Sequence, residues 1–301
     1  MEIVVFGAGS LGSLVGGLLA REHAVTLVGR DPHVATVRES GLRVEGTYDF
    51  SVSPAATTDG TGLGADLAVV TVKAFDTEAA AEALATGAFD AALSLQNGMG
   101  NEAILADRLE CPVLAGTATY GARLTGPGVV ACTGEGEVVL GPRGGGTAEV
   151  ADEAGRAFRA AGIETTVADD MPRRRWRKLA VNAGINATTA LARTQNGGVR
   201  SGPARAVATD AARETARVAR AAGIELSDAD AVRALDAVAA DTAENASSTL
   251  QDVLAGRHTE VEAINGHVAA HADELGVAAP VNRTLANLLG AWADANAESR
   301  P

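Results

Sequence analysis

Apolar residues in the first half of the chain fall into short runs, separated by segments in which they recur every three or four positions. Residues 2–6 are one such run, and residues 10–21 carry Leu11, Val15, Leu18 and Leu19 at helical spacing. Residues 24–28 (Ala-Val-Thr-Leu-Val) are β-rich, and Leu67–Val72 is a further buried run that leads into a helix from about 76. Residues 91–95 and 112–119 are expected strands, with a helix over 101–108 between them. Strand alternating with helix predicts a parallel sheet covered on both faces. Residues 121–146 are glycine-rich, and their strands near 128–132 and 136–140 are expected to be hairpin strands closing the sheet edge.

From about 172 the β pattern stops. Residues 172–194, 203–222, 228–254, 259–275 and 281–295 are alanine-rich and helical in spacing, punctuated by Gly197-Gly198, Gly202-Pro203, Gly223 and Gly276. The expected fold is therefore α/β, with an N-terminal domain of the doubly wound Rossmann type (1–170) and a C-terminal all-helical domain (171–301). The boundary falls at Ala168-Asp-Asp-Met171, ahead of Pro172.

Charge narrows the partners. A formal net charge of −13 repels nucleic acid and anionic membrane surfaces. No apolar run approaches the roughly 20 residues of a membrane span, and Met1–Phe6 reads as a buried strand rather than a leader. Cys111 and Cys132 make no ligand or disulfide pattern. A cytoplasmic location is the expectation. Of 25 basic residues, only Lys73 and Lys178 are lysine, and the other 23 are arginine. A GC-rich genome explains the arginine but not the acidic excess. A salt-adapted, halophilic cytoplasm explains both, because a dense carboxylate surface stays soluble where charges are screened.

Gly7-Ala8-Gly9-Ser10-Leu11-Gly12 is a G-x-G-x-x-G. Looser matches recur at Gly60, Gly98 and Gly126, but only this one follows a first strand, opens an amphipathic helix and leads to a second strand. Gly7 permits the turn, Gly9 lets a pyrophosphate approach, Gly12 lets helix and strand pack, and the helix N-terminus offers N–H groups to the phosphates. The second strand ends in Val28-Gly29-Arg30-Asp31, with an arginine where a 2′-phosphate would sit, which favours NADP (NADPH). Asp31 is either a ribose ligand or the N-cap of a helix starting at Pro32.

Four places offer chemistry. Lys73 and the loop Gln96-Asn97-Gly98 follow strands, at the edge where open α/β sheets bind ligands. Lys178, Asn182 and Asn186 stand at i, i+4 and i+8, within about 80° of one helix face. This is a solvated stripe or an ammonium beside two amides. The last place is Asn245-Ala-Ser-Ser-Thr-Leu-Gln-Asp252 with Arg257-His-Thr-Glu260, in which Ser247 and Ser248 are caps or ligands. His267 and His271 share a face at i, i+4 but have no third metal ligand in the sequence pattern, and no metal is expected.

At these places the chain resembles the 2-dehydropantoate 2-reductase (ketopantoate reductase) family. The likeness runs from Gly7–Gly12 through Lys73, Asn97-Gly98, Trp176–Asn182 with Asn186, Asn245–Asp252, Arg257–Glu260 and Ile264-Asn-Gly266. It implies Lys178 as general acid, Asn182, Asn186, Ser248 and Asn245 as substrate ligands, and Glu260 completing the catalytic site. Asn97 and Lys73 would face nicotinamide and substrate. The cofactor set would then be Gly7, Ala8, Gly9, Ser10, Leu11, Gly12 and Arg30, with Lys73, Asn97 and Glu260. The implied reaction reduces the small-molecule 2-keto acid 2-dehydropantoate to (R)-pantoate with NADPH, on the route to pantothenate and coenzyme A. At family level it also implies a homodimer through the helical domain. Two other readings stay open: a related dehydrogenase acting on another 2-keto or 3-hydroxy acid, and a non-catalytic NADP-binding sensor.

Overall fold

The computed structural model describes residues 1–297 and divides into two compact units. One comprises Met1–Gln96 and Asn101–Met171, the other Asn97–Gly100 and the chain from Pro172 onward.

The first unit has twelve strands: β1 (Glu2–Phe6), β2 (Ala24–Val28), β3 (Leu42–Gly46), β4 (Phe50–Val52), β5 (Ala55–Thr57), β6 (Gly64–Val70), β7 (Ala88–Ser94), β8 (Val113–Ala118), β9 (Gly121–Gly126), β10 (Val129–Gly134), β11 (Val138–Pro142) and β12 (Thr165–Val167). Its helices are α1 (Ser10–Leu19), α2 (His33–Ser40), α3 (Thr77–Leu84), α4 (Asn101–Arg108) and α5 (Glu149–Ala160). Eight strands form one sheet in the order β12-β11-β8-β7-β6-β1-β2-β5. β1 lies centrally, parallel to β2 (Val4 opposite Thr26) and to β6 (Val4 opposite Ala68). Leu67, Ala68, Val69 and Val70 are all buried, as a strand covered on both faces requires. One face packs Ile3, Val5, Leu67 and Leu93 with Leu14 and Leu18 of α1 and Phe158 of α5. The other packs Ala68, Val70 and Ala92 with Leu84 and Leu105 of α3 and α4. Each such leucine contributes about 1.5–3 kcal/mol, and leucine, valine and alanine do most of this filling in a chain with only 3% aromatics.

The glycine-rich stretch departs from the expected hairpin. β11 does run antiparallel to β8 at the sheet edge, but β12 lies beyond it. β10 pairs instead with β9 and, in parallel, with β3, forming a second sheet of order β4-β3-β10-β9. In β3, Leu42 and Val44 are buried while Arg43 is exposed, the alternation of a sheet with one wet face. The buried side chains Leu42 and Val44 lie under α1 at Gly17, where an added Cβ would stand 3.1 and 3.0 Å from them.

The second unit is helical: α6 (Met171–Ala192, of which Met171 belongs to the first unit), α7 (Gly202–Ala221), α8 (Asp228–Asp241), α9 (Ser248–Leu254), α10 (His267–Glu274) and α11 (Pro280–Ala297). Small residues let α6 and α7 approach: a Cβ at Gly184 would stand 2.7 Å from the Ala208 carbonyl oxygen. The expected helix 228–254 is two helices. Its middle is drawn off by Asn196, whose N–H donates to Asn245 O, and by Gly197, whose N–H donates to Ala243 O (both 2.9 Å). The expected helix 259–275 starts with a wide π turn at Glu262–Gly266, where the Ala263 carbonyl accepts the Met99 N–H at 3.0 Å. An outside donor on a helical carbonyl widens the ladder in this way. Among the described residues no helix is long and apolar enough to cross a membrane.

Candidate active site

In the first unit the chemistry gathers where the strands end at their C-termini. The turn after β1 is held from both sides. The N–H groups of Gly7 and Ala8 donate to Val28 O at 2.9 and 2.8 Å, and Thr71 Oγ1 donates to Gly7 O at 2.9 Å. Gly7 has φ +116°, and a Cβ there would stand 2.6 Å from the Val72 nitrogen. At Gly12 a Cβ would overlap the Gly7 carbonyl and Thr71 Oγ1. Gly9 differs: a Cβ there would find no heavy atom nearer than Gly7 O at 3.9 Å. The protein itself therefore does not require glycine at position 9, whereas a ligand lying against the backbone would. Gly9 is also the N-cap of α1 and no side chain caps the helix, so the first-turn donors of Ser10 to Gly12 head this open space. This arrangement fits a dinucleotide pyrophosphate. Ser10 Oγ accepts the Leu124 N–H at 3.1 Å and so ties β9 to the same turn.

Arg30 is exposed beyond β2, and its Nη2 meets Asp76 Oδ2 at 3.0 Å. Asp31 serves α2, its carboxylate accepting the Ala35 N–H at 3.1 Å. Lys73, half-buried, precedes the 3-10 turn Ala74–Asp76 after β6. The loop around it is braced by Gln96, 6% exposed, whose Nε2 donates to Val72 O (3.1 Å) and Thr77 Oγ1 (2.7 Å). His33 links three elements: its Nδ1 accepts the Gly128 N–H at 3.0 Å, so Nε2 carries the proton and donates to Ser13 Oγ at 3.0 Å. Burial holds its pKa below the usual imidazole value, which keeps that tautomer neutral.

In the second unit, α6 is the spine. Asn186 is 7% exposed, and Lys178 and Asn182 are half-buried, so the stripe is not a solvated face. Two bonds bring other segments to it. Asn265, in the π turn, donates from Nδ2 to Ala183 O at 3.0 Å. Ser247 Oγ and Thr189 Oγ1 are 2.7 Å apart. Ser247 is the cap of α9, accepting the Leu250 N–H at 3.1 Å, whereas Ser248 and Asn245 are exposed. Glu260, 6% exposed, lies two residues before the π turn, and Asn97–Gly100 leans on that turn through Met99 and Gly98. Asn97, Asn182, Asn186, Ser248 and Glu260 are thus all carried by segments anchored on α6 or on the turn beside it.

His267 and His271 stack at 4.3 Å with Trp176 about 6 Å away. Burial first, then His271 and Arg175, push the His267 pKa down to about 4. Among the described residues no group of three His, Cys, Asp or Glu could hold a metal ion. A cleft of about 420 Å³ lies at the N-terminal ends of β1 and β2, the edge opposite the glycine turn, where open α/β sheets do not bind their ligands. Nothing local in the sequence beyond residue type marks Asp76 as the partner of Arg30 or Asn265 as the partner of Ala183, since the groups they meet lie 46 and 82 positions away.

A doubly wound sheet with this glycine turn at its first strand, followed by an all-helical unit, defines the class of Rossmann-fold dinucleotide-dependent oxidoreductases. Ketopantoate reductase PanE/ApbA matches residues 3–145, and the C-terminal part of the same family matches residues 170–293. A 2-dehydropantoate 2-reductase of Halobacterium salinarum, a halophile, is 47% identical over 96% of this chain and 98% of its own. The crystal structure of a PanE/ApbA family ketopantoate reductase from Ralstonia eutropha is 34% identical, with a TM-score of 0.90 over 98% of this chain and 99% of that one. D-mandelate dehydrogenase, solved with NADH and anilino(oxo)acetate, shares the fold at 24% identity and a TM-score of 0.92 over 98% of this chain and 99% of that one. The chain belongs to the ketopantoate reductase family.

Proposed function

We propose that this protein reduces 2-dehydropantoate to (R)-pantoate with NADPH, a step toward pantothenate and coenzyme A. The observation that carries the reading is the half-buried Lys178 and Asn182 and the buried Asn186 on one face of α6, a helix that the π turn and the α9 cap meet through Ala183 O and Thr189 Oγ1. Gly7 to Gly12 would hold the pyrophosphate and Arg30 the 2′-phosphate, with Lys73, Asn97 and Glu260 completing the cofactor set. Bound NADPH supplies the hydride. Lys178 Nζ stabilises the negative charge that develops on the keto oxygen and delivers a proton to it. Asn182, Asn186, Ser248 and Asn245 hydrogen-bond the substrate carboxylate and terminal hydroxyl, and Glu260 orients the ammonium or accepts the hydroxyl. The domain division 1–170 and 171–301, a homodimer through the helical unit and a cytoplasmic location complete the proposal.

The fold likeness to D-mandelate dehydrogenase makes an aromatic 2-keto acid the second substrate class to test. The assay is NADPH oxidation by purified protein with ketopantoate and with phenylglyoxylate, in dilute and molar KCl. Lys178→Arg is the sharpest variant, because this chain otherwise uses arginine for positive charge everywhere except Lys73. A charge-only role would leave it silent. A proton-donor role costs about two decades or more in kcat with NADPH affinity kept. Preference for phenylglyoxylate would overturn the substrate, and a fully active arginine variant would overturn the acid.

A further inference from the structure

Arg30 and Asp76 meet across the glycine turn. Arg30 follows β2 and Asp76 follows β6, and those strands are the two neighbours of β1, from which the turn emerges. Both flanks press on it: a Cβ at Gly29 would stand 2.8 Å from the Ala8 Cβ, and Gly7 lies against Val72. From these flanks Arg30 Nη2 and Asp76 Oδ2 close to 3.0 Å, with side-chain exposures of 87% and 34%. Asp31, the other acid beside Arg30, is committed to the Ala35 N–H. Asp76 heads α3 without a side-chain cap bond, so helix formation does not explain where its carboxylate sits.

We infer that Asp76 is a coenzyme-selecting residue, whose carboxylate holds the Arg30 guanidinium in an internal ion pair that an adenosine 2′-phosphate must displace and offers a hydrogen-bond acceptor to an unphosphorylated 2′-hydroxyl. The inference rests on the reading of Arg30 as the 2′-phosphate ligand. A group bound by the guanidinium where it now sits is close to Asp76, because the two side chains are in contact. A phosphate near a carboxylate is repelled, whereas a ribose hydroxyl near it gains an acceptor, as acidic residues provide in NAD sites. The pair therefore narrows the preference for NADPH over NADH that Arg30 alone would give. Its exposure limits the effect, since an exposed ion pair changes an equilibrium constant by about fivefold at most.

The test measures dissociation constants of NADPH and NADH by cofactor fluorescence for the wild type, Asp76→Asn, Asp76→Ala, Arg30→Ala and the Arg30→Ala/Asp76→Asn double variant. Melting curves at the same KCl concentration check that each is folded. Asp76→Asn should tighten NADPH about threefold to fivefold and weaken NADH about twofold to threefold. In the Arg30→Ala background the gain for NADPH should shrink below about twofold, because no ion pair is left to displace. Weaker NADPH binding in Asp76→Asn would make Asp76 a positioner of Arg30, and unchanged constants in both Asp76 variants would make it a bystander; either overturns the inference. If the wild type binds NADH more tightly than NADPH, or Arg30→Ala leaves NADPH binding intact, the Arg30 reading itself fails.

Discussion

Asn282→Ala should destabilise the helical unit by about 4 kcal/mol through a network that contains no proposed catalytic group. Asn282 is fully buried in α11. Its Nδ2 donates to Ala211 O at 3.0 Å and to Glu214 Oε2 at 2.9 Å, both on α7, and its Oδ1 accepts from Asn265 Nδ2 at 3.0 Å. Asn265 in turn holds Ala183 O of α6. One amide thus joins α7, α11 and the π turn, and through Asn265 reaches α6. Truncation removes three bonds. Two neutral ones are worth about 0.5–1.5 kcal/mol each and the one to the carboxylate about 1.5–3 kcal/mol, so the sum is about 2.5–6 kcal/mol, centred near 4. Glu214 keeps the Val281 and Asn282 N–H groups at 3.0 and 2.9 Å, so the N-terminus of α11 stays capped. At about 2–4 °C per kcal/mol the melting transition should fall by roughly 8–16 °C. Circular dichroism melts and urea titrations at fixed KCl measure this, with Asn265→Ala and the double variant closing a cycle whose losses should be less than additive. A loss under about 1 kcal/mol would mean that water replaces the amide's partners, and would refute the network as a tie.

Gly9→Val should abolish NADPH binding while barely moving the melting temperature, because a Cβ there meets no protein atom within 3.9 Å; undiminished affinity by cofactor fluorescence would remove the pyrophosphate from that position. With a net charge of −13, the melting temperature should rise from dilute buffer to molar KCl, as the screening length shrinks from tens of ångströms to about 3 Å; a flat or falling curve in a KCl series would count against the salt-adapted surface. His267 titrates near 6.5 when unfolded and about 4 when folded, so its neutral form is favoured by folding. Stability should therefore be full above about pH 6.5, fall as pH drops toward 4 and level off below, by on the order of 3 kcal/mol for this residue. Urea melts of His267→Gln across that window should lack this component, and an unchanged slope would refute the assignment.

The strand β1, the glycine turn and α1 were legible because each rests on local rules: a continuous apolar run, a turn only glycine permits, and leucines at a helical period. The same holds for the lysine–amide stripe, since i, i+4 and i+8 share a helix face wherever the helix is placed. Whether that face is wet is not local, since the periodicity is the same for a wet stripe as for one that ends with Asn186 at 7% exposure. The second sheet escaped the pattern because β3 and β4 are five and three residues long, too short for alternation to stand out, and β3 finds its parallel partner β10 more than 80 positions later. The break between α8 and α9 was hidden because Ala243, Glu244 and Ala246 favour a continuing helix and no glycine or proline interrupts 242–247. Bonds from Asn196 and Gly197 decide that segment. Residue type and spacing thus determined which elements form and which chemistry they carry, because those depend on neighbours within about one helical turn. Tertiary structure alone decided that Asp76 faces Arg30 and that Asn282 joins α7 to the π turn, because such pairings exist only once the chain has closed and buried the groups that must then find partners.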